Sequence, residues 1–275
     1  MFVTRSRSAR FDPGQVVDPD RRGAVAWGQF NESFAGLQTL DWRRVNEGTR
    51  YRLPYRALRR LVAFVTQKRD AILDLERKAR ALARFPVPRD PDVVFFGAEA
   101  GWEALLVQAL FGAKGRVVLI DSEEAAYRRF LEAPGETRIR APRGFPEKEL
   151  AIRRDRARIE YLRADLFDVQ RPGEFDVGID WGLVEHYEDA RKLELMRAMQ
   201  GFLRPGGLEI TSVPRDRLAV RVFYYAFQDE LNFGYRELLT MPEFRALLER
   251  GGYEVLDAVK LPAHNVCAAR PRRRG

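Results

Sequence analysis

From residue 92 to residue 270, short apolar runs alternate with helix-period segments, and that order leaves few folds open. Seven runs read as strands: "DVVFFG" (92–97), "GRVVLID" (115–121), "RIEYLRADLF" with its loop (158–167), "FDVGID" (175–180), "LEITSVP" (208–214), "YEVLDAVK" (253–260) and "HNVCAAR" (264–270). They are brief, bounded by turn residues and rich in β-branched and aromatic side chains. Between them, "GWEALLVQALFG" (101–112), "SEEAAYRRFLE" (122–132), "EDARKLELMRAMQGFL" (188–203) and "MPEFRALLERGGY" (241–253) read as helices. In the third, Leu193, Met196, Met199 and Leu203 recur at helical spacing. "RPGG" (204–207) predicts its stop, proline barring continuation and glycine supplying a left-handed cap. Residues 132–157, with Pro134, Pro142 and Pro146, read as a polar interlude followed by a charged helical piece. The series predicts an α/β domain: a seven-stranded, mostly parallel sheet with helices on both faces. The last two strands, joined by a short turn, predict an antiparallel C-terminal pair.

Residues 1–90 precede this series and read as a basic helical N-terminal extension or lid, with 91–275 as the sheet domain. Residues 1–23 are polar and expected to be irregular. Trp27, Phe30, Phe34, Leu37, Leu40 and Trp42 suffice for a short helix or two. From Pro54, apolar residues at Leu58, Leu61, Val62, Val65, Ile72, Leu75, Ala79 and Leu82 predict an amphipathic helix or a pair. The first 90 residues carry 19 Lys and Arg against 10 Asp and Glu, the remainder 29 against 30. A basic segment beside a neutral body can hold a polyanion such as RNA, or be a solvated helix face. Arg supplies 42 of the 48 basic residues along the whole chain, which points to genome composition more than to phosphate forks.

One cysteine, Cys267, and two histidines, His186 and His264, make a conventional metal site unexpected. No uncharged apolar run reaches about 18 residues, so no membrane span is expected. "MFVTRSRSARF" lacks the apolar core of a secretion signal. Arg/Ser-rich and acid-free, it suits either a transit peptide or an irregular tail. The expected location is cytoplasmic.

In an open α/β sheet, ligands bind beyond the carboxyl ends of the strands. Every candidate residue falls at such an end: Gly97 after strand one, Asp121 ending strand two, Asp165 after strand three, Asp180 and Trp181 after strand four. Each acid alone reads equally well as a turn or helix cap; the four-fold recurrence is the signal. An acid after strand two accepts hydrogen bonds from both ribose hydroxyls, which serves NAD or S-adenosylmethionine. The loop "GAEAG" (97–101) separates the two. A dinucleotide fingerprint needs glycine at positions one, three and six, so that backbone can approach a pyrophosphate. Here position three is Glu99 and position six is Trp102. A carboxylate beside a diphosphate disfavours NAD, whereas the sulfonium and ammonium of S-adenosylmethionine tolerate one.

These residues resemble the class I S-adenosylmethionine-dependent methyltransferases over about residues 90–272. The similar pieces are "VVFFGAEAGWEAL", "VVLIDSEE", "RADLFD", "FDVGIDWGLVEHYED" and "FLRPGGLEITSVP", in family order and at family spacing. The resemblance implies that Gly97 and Gly101 line the methionine end of the cofactor. It implies that Asp121, with Ser122 beside it, holds the ribose, that Asp165 meets the adenine amino group, and that Asp180 and Trp181 lie near the sulfonium. Two departures stand out. Phe95 replaces a frequent acid and Glu99 the middle glycine. One expectation is that Glu99 substitutes for the absent acid and reaches the cofactor ammonium; the other is a decayed site on a scaffold.

Methyl transfer is an in-line displacement, so the protein mainly aligns the acceptor and removes its proton. His186, after strand four, is the candidate base, since an unperturbed imidazole titrates near 6.5; Glu185 is the second. The alternative is that His186 packs or caps a helix. Tyr224, Tyr225, Phe227, Phe233 and Tyr235 follow strand five, where they line an acceptor pocket or fill a core. "DWGL" stands where an Asn/Asp-Pro-Pro-aromatic tetrapeptide would mark amino-group methylation of bases, and Cys267 lies in the last strand, away from a nucleophile's position. The expected function is methyl transfer from S-adenosylmethionine to a small or medium organic acceptor. The alternatives are an RNA methyltransferase using residues 1–90, and a non-catalytic methyltransferase-like subunit.

Overall fold

A computed structural model describes residues 2–4, 71–221 and 236–272. In chain order the elements are β1 (Phe2–Thr4), α1 (Ala71–Leu82), β2 (Val93–Phe96), α2 (Trp102–Phe111), β3 (Val117–Ile120), α3 (Glu124–Glu132), β4 (Glu136–Arg140), β5 (Glu149–Arg153) and β6 (Ile159–Leu162). They continue with β7 (Phe175–Trp181), α4 (Asp189–Phe202), β8 (Leu203–Pro214), β9 (Arg236–Leu238), α5 (Met241–Arg250), β10 (Tyr253–Lys260) and β11 (His264–Pro271). Short 3₁₀ turns occupy Leu166–Asp168 and Val184–His186.

Seven strands form one sheet in the order β10-β11-β8-β7-β2-β3-β6. All neighbours are parallel except at β11, which runs against both β8 and β10. Strand order reverses between β2 and β7, so their carboxyl ends open the crevice where such sheets take ligands. The near-continuous apolar runs of β2 and β3 follow from burial on both faces. Val93, Phe95, Val117 and Leu119 pack with α1, α2 and α3, whereas Val94, Phe96, Val118 and Ile120 pack with α4 and α5. Helix α5 starts on a capping box, Thr240 accepting from the Glu243 N–H while Glu243 accepts from the Thr240 N–H at 2.8 Å.

Three departures from the sequence expectations have physical causes. The interlude at 132–157 contains no helical piece; it is an antiparallel hairpin of β4 and β5. Buried Ile139, Leu150 and Ile152 are flanked by exposed Arg138, Arg140, Glu149 and Arg153, with half-buried Ala151 between Leu150 and Ile152, a period of two that the surrounding arginines obscure. "RPGG" does not cap α4. The helix ends at Phe202, and Gly206 takes a φ of 84° inside an irregular start of β8. Arg204 anchors that stretch to Asp92 and Asp176 at 2.8 and 2.7 Å. Finally, Phe2–Thr4 is a strand, paired in parallel with β9. Of the helix or pair expected from Pro54 to Leu82, the last part is α1; residues 54–70, the helices expected within 24–52 and the aromatic residues Tyr224 to Tyr235 lie outside the described residues.

Candidate functional site

The loop from β2 to α2 alternates left-handed residues: Gly97 at φ 63°, Glu99 at 46° and Gly101 at 76°. At Gly101 a Cβ would meet the Leu119 side chain at 2.6 Å, so α2 starts closer to β3 than any other residue allows. At Gly97 a Cβ would meet Leu183 at 3.3 Å, on the turn after β7. Glu99 keeps the conformation of a glycine at a cost of about 1 kcal/mol. Three contacts hold it there. Its N–H donates to Asp121 Oδ2 at 2.9 Å, its carbonyl accepts from the Tyr161 hydroxyl at 3.1 Å, and its carboxylate lies 3.1 Å from Arg129 Nε.

Asp121 directly follows β3 and also accepts from the Glu123 N–H at 2.9 Å, through Oδ1. Each carboxylate oxygen therefore carries one amide and retains acceptor capacity. Burial raises its pKa, the two amides oppose that, and the Glu99 charge adds to it. Ser122 is exposed beside it. Asp165 is exposed after β6 and caps the turn Leu166–Asp168, its Oδ1 accepting from the Phe167 N–H at 3.0 Å.

The two β7 residues diverge, as alternation along a strand requires. Asp180 is fully buried; it accepts from the Thr211 hydroxyl at 2.7 Å and from the Leu183 N–H at 2.8 Å. It thus ties the turn that places Leu183 against Gly97. Burial pushes its pKa up to about 7 against these hydrogen bonds. Trp181 lies on the other face, 6.4 Å from the His264 ring and 5.2 Å from Lys78 Nζ of α1. Lys78 also bridges Asp74 at 3.0 Å and Glu103 at 2.6 Å. Glu185 and His186 are both buried in the turn Val184–His186, with His186 Nε2 3.6 Å from Glu185 Oε1, and β9 packs against that turn. Glu99 and Asp121 are therefore bonded directly, with Gly97 and Gly101 on either side of Glu99 in the same loop. Trp181 ends β7 on the face of Lys78 and His264, whereas Asp180 acts from the opposite face through Thr211 and Leu183.

Tyr187 was not singled out from the sequence. Burial, then the Asp165 carboxylate and more weakly those of Asp180 and Asp121, pushes its phenol up to about 12, against the pull of Arg191. Its signal was position alone, directly after "EH". Tyr161 and Arg129 gave no motif signal, because each acts on the loop from a distant segment; Leu183 lies in "DWGL" but its contact with Gly97 is not encoded there. Among the described residues, no group of three or more His, Cys, Asp or Glu side chains is placed to hold a metal.

No protein-family model matches the chain, and no curated protein matches it. Solved structures do. A possible exported protein from Bordetella parapertussis aligns at TM-score 0.58 and 16% identity, over 96% of this chain and 100% of that one. The 1,6-didemethyltoxoflavin-N1-methyltransferase of Burkholderia thailandensis, solved with S-adenosylhomocysteine, aligns at 0.51 and 18%, over 80% and 89%. Human N-acetylserotonin methyltransferase, solved with S-adenosylmethionine, aligns at 0.54 and 14%, over 92% and 69%. The fold of this chain is that of the class I S-adenosylmethionine-dependent methyltransferases.

Proposed function

We propose that the protein transfers a methyl group from S-adenosylmethionine to a small or medium organic acceptor. The observation that carries this reading is the bond from the Glu99 N–H to Asp121, which joins the loop after β2 to the acid after β3 at the switch point. The site's chemistry fits the cofactor. Asp121 retains acceptor capacity for two ribose hydroxyls, and Gly97 leaves bare backbone facing the Leu183 turn. Asp121 and Asp165 make the surroundings acidic, which suits a sulfonium and an ammonium and repels a pyrophosphate, while the Glu99 carboxylate is paired with Arg129. When bound, the cofactor supplies an activated methyl group.

The protein's own residues then hold and align. In this reading Asp121 would hold the ribose, Asp165 would take the adenine amino group, and Trp181 would lie toward the sulfonium end. His186 removes the acceptor proton, with Glu185 beside it. The N-terminal region closes over the acceptor, and the chain works in the cytoplasm. Among the described residues, no helix is long and apolar enough to cross a membrane.

A ligand panel read by thermal shift tests the cofactor reading. S-adenosylhomocysteine raises the midpoint and NADH does not; a shift with NADH alone would reverse the assignment. The basic charge of residues 1–90 favours a second reading, an RNA acceptor held through phosphates. RNA binding that weakens steeply with salt, with methyl label appearing in RNA, would select it. No shift with any of the ligands would favour a non-catalytic subunit.

A further inference from the structure

We propose that Arg154 is a positioning residue for the loop Gly97–Gly101, reaching it from the β4–β5 hairpin. The proposal rests on the reading of that loop as the cofactor cradle. Arg154 follows β5 directly, and its own N–H is fixed on the Gly135 carbonyl at 2.7 Å. The residue is 5% exposed. Its guanidinium stands 4.6 Å from the Trp102 ring and 5.1 Å from the Phe130 ring, in a slot between α2 and α3. Nη1 donates to the Ala100 carbonyl. Nε and Nη2 are buried with no hydrogen-bond partner.

Stability alone does not account for a cation in this slot. The two ring faces offset part of the cost of burying a guanidinium, but its two unmet donors remain costly, and an apolar side chain of similar length would fill the space between the rings without them. The start of α2 also carries the positive end of the helix dipole, which disfavours a cation there. Burial, followed by the charge of Arg156, lowers the Arg154 pKa to about 10, in keeping with a strained cation.

What the cation contributes is the Ala100 carbonyl. Ala100 lies between two left-handed residues, Glu99 and Gly101. The Ala100–Gly101 peptide is held at both ends: its carbonyl by Arg154, its N–H by the Ala98 carbonyl at 2.7 Å. The Glu99 carbonyl has its own donor in Tyr161. Rotation of the Ala100–Gly101 plane would take Gly101 out of its left-handed state, and Gly101 is the residue from which α2 starts. In a loop where a glutamate occupies a left-handed position, a charge-assisted bond to the next carbonyl supplies rigidity that the local sequence does not.

The test replaces Arg154 by Met, which keeps the length and removes the donor, and by Lys, which keeps the charge and loses the fork. Amide exchange in the unliganded protein reads the loop, denaturation reads the fold, and S-adenosylhomocysteine titration reads the cradle. In Arg154→Met, the amides of Glu99 and Gly101 exchange at least about tenfold faster while those of α4 do not change. The denaturation midpoint does not fall, and the dissociation constant for S-adenosylhomocysteine rises at least about fivefold. Arg154→Lys falls between Met and wild type on both loop readouts. A core residue would move stability and affinity down together, with exchange faster in α4 as well as the loop; that result overturns the proposal. So do unchanged exchange at Glu99 and Gly101, and faster exchange with unaltered affinity. If wild-type protein binds no S-adenosylhomocysteine, the cofactor reading fails, and the exchange data still decide whether Arg154 holds the loop.

Discussion

The backbone N–H of Glu99 donates to the carboxylate of Asp121 at 2.9 Å, across two adjacent strand ends. A glutamate at φ 46° is thereby kept in a conformation that favours glycine. The side chain that pairs with Arg129 is half exposed, and an exposed ion pair contributes little.

It follows that Glu99→Gly does not weaken the fold. Relief of the left-handed strain is worth up to about 1 kcal/mol, partly offset by the flexibility of glycine in the unfolded chain. Chemical denaturation is expected to show an unchanged or raised midpoint. Titration with S-adenosylhomocysteine is expected to show affinity within about twofold of wild type, because Arg129 engages the carboxylate. A tenfold loss would instead assign Glu99 to the cofactor ammonium.

Asp180 makes stability depend on pH in a defined direction. Its folded pKa, about 7, lies above the unfolded value near 3.9, so the native state holds a proton that the unfolded state releases between them. Its contribution is present in full below pH 4 and is lost as pH rises from 4 to 7, by about 4 kcal/mol at most. Asp180→Asn keeps an acceptor for the Leu183 N–H and a partner for Thr211. The gap between wild-type and variant midpoints is expected to widen in favour of the variant from pH 4 to 8. A constant gap would contradict the assignment.

Glu209, in the middle of β8, is fully buried and neither carboxyl oxygen has a hydrogen-bond partner. Its Oε2 sits 2.4 Å from where a Cβ on Gly178 would stand, so the glycine makes room for it. Burial, with Asp180 nearby, raises its pKa well above the ordinary value. Glu209→Met is expected to stabilise the fold by about 1–3 kcal/mol, since it removes an unmet polar group. The gain is expected to be larger at pH 8 than at pH 5, because above the ordinary carboxyl pKa the unfolded state releases a proton that burial holds on in the folded state, a cost to the wild type that grows with pH. A loss of stability at pH 8 would show that the carboxyl is engaged in the folded state.

The sheet was legible because its signal is local and repeated. Runs such as "VVFF" and "VVLI" are buried on both faces, and the residues at their ends fall where the ligand crevice opens. That Gly97, Gly101 and Asp121 stand at those strand ends was legible for the same reason. The hairpin was not, since its alternation of Ile139, Leu150 and Ile152 is interrupted by arginines that mimic a solvated helix face. Nor was the difference between Asp180 and Trp181, adjacent residues that a strand sends to opposite faces. Arg154, Tyr161 and Arg129 reach the loop across 54, 62 and 30 positions of sequence, a kind of contact that spacing does not encode.

The central claim concerns Asp121, and a calorimetric titration with S-adenosylhomocysteine tests it most directly. Wild-type protein is expected to bind one equivalent, and Asp121→Ala to bind at least about tenfold more weakly, a loss of about 1.4 kcal/mol. Absence of heat with folded wild-type protein, or equal affinity in the two, would contradict the account.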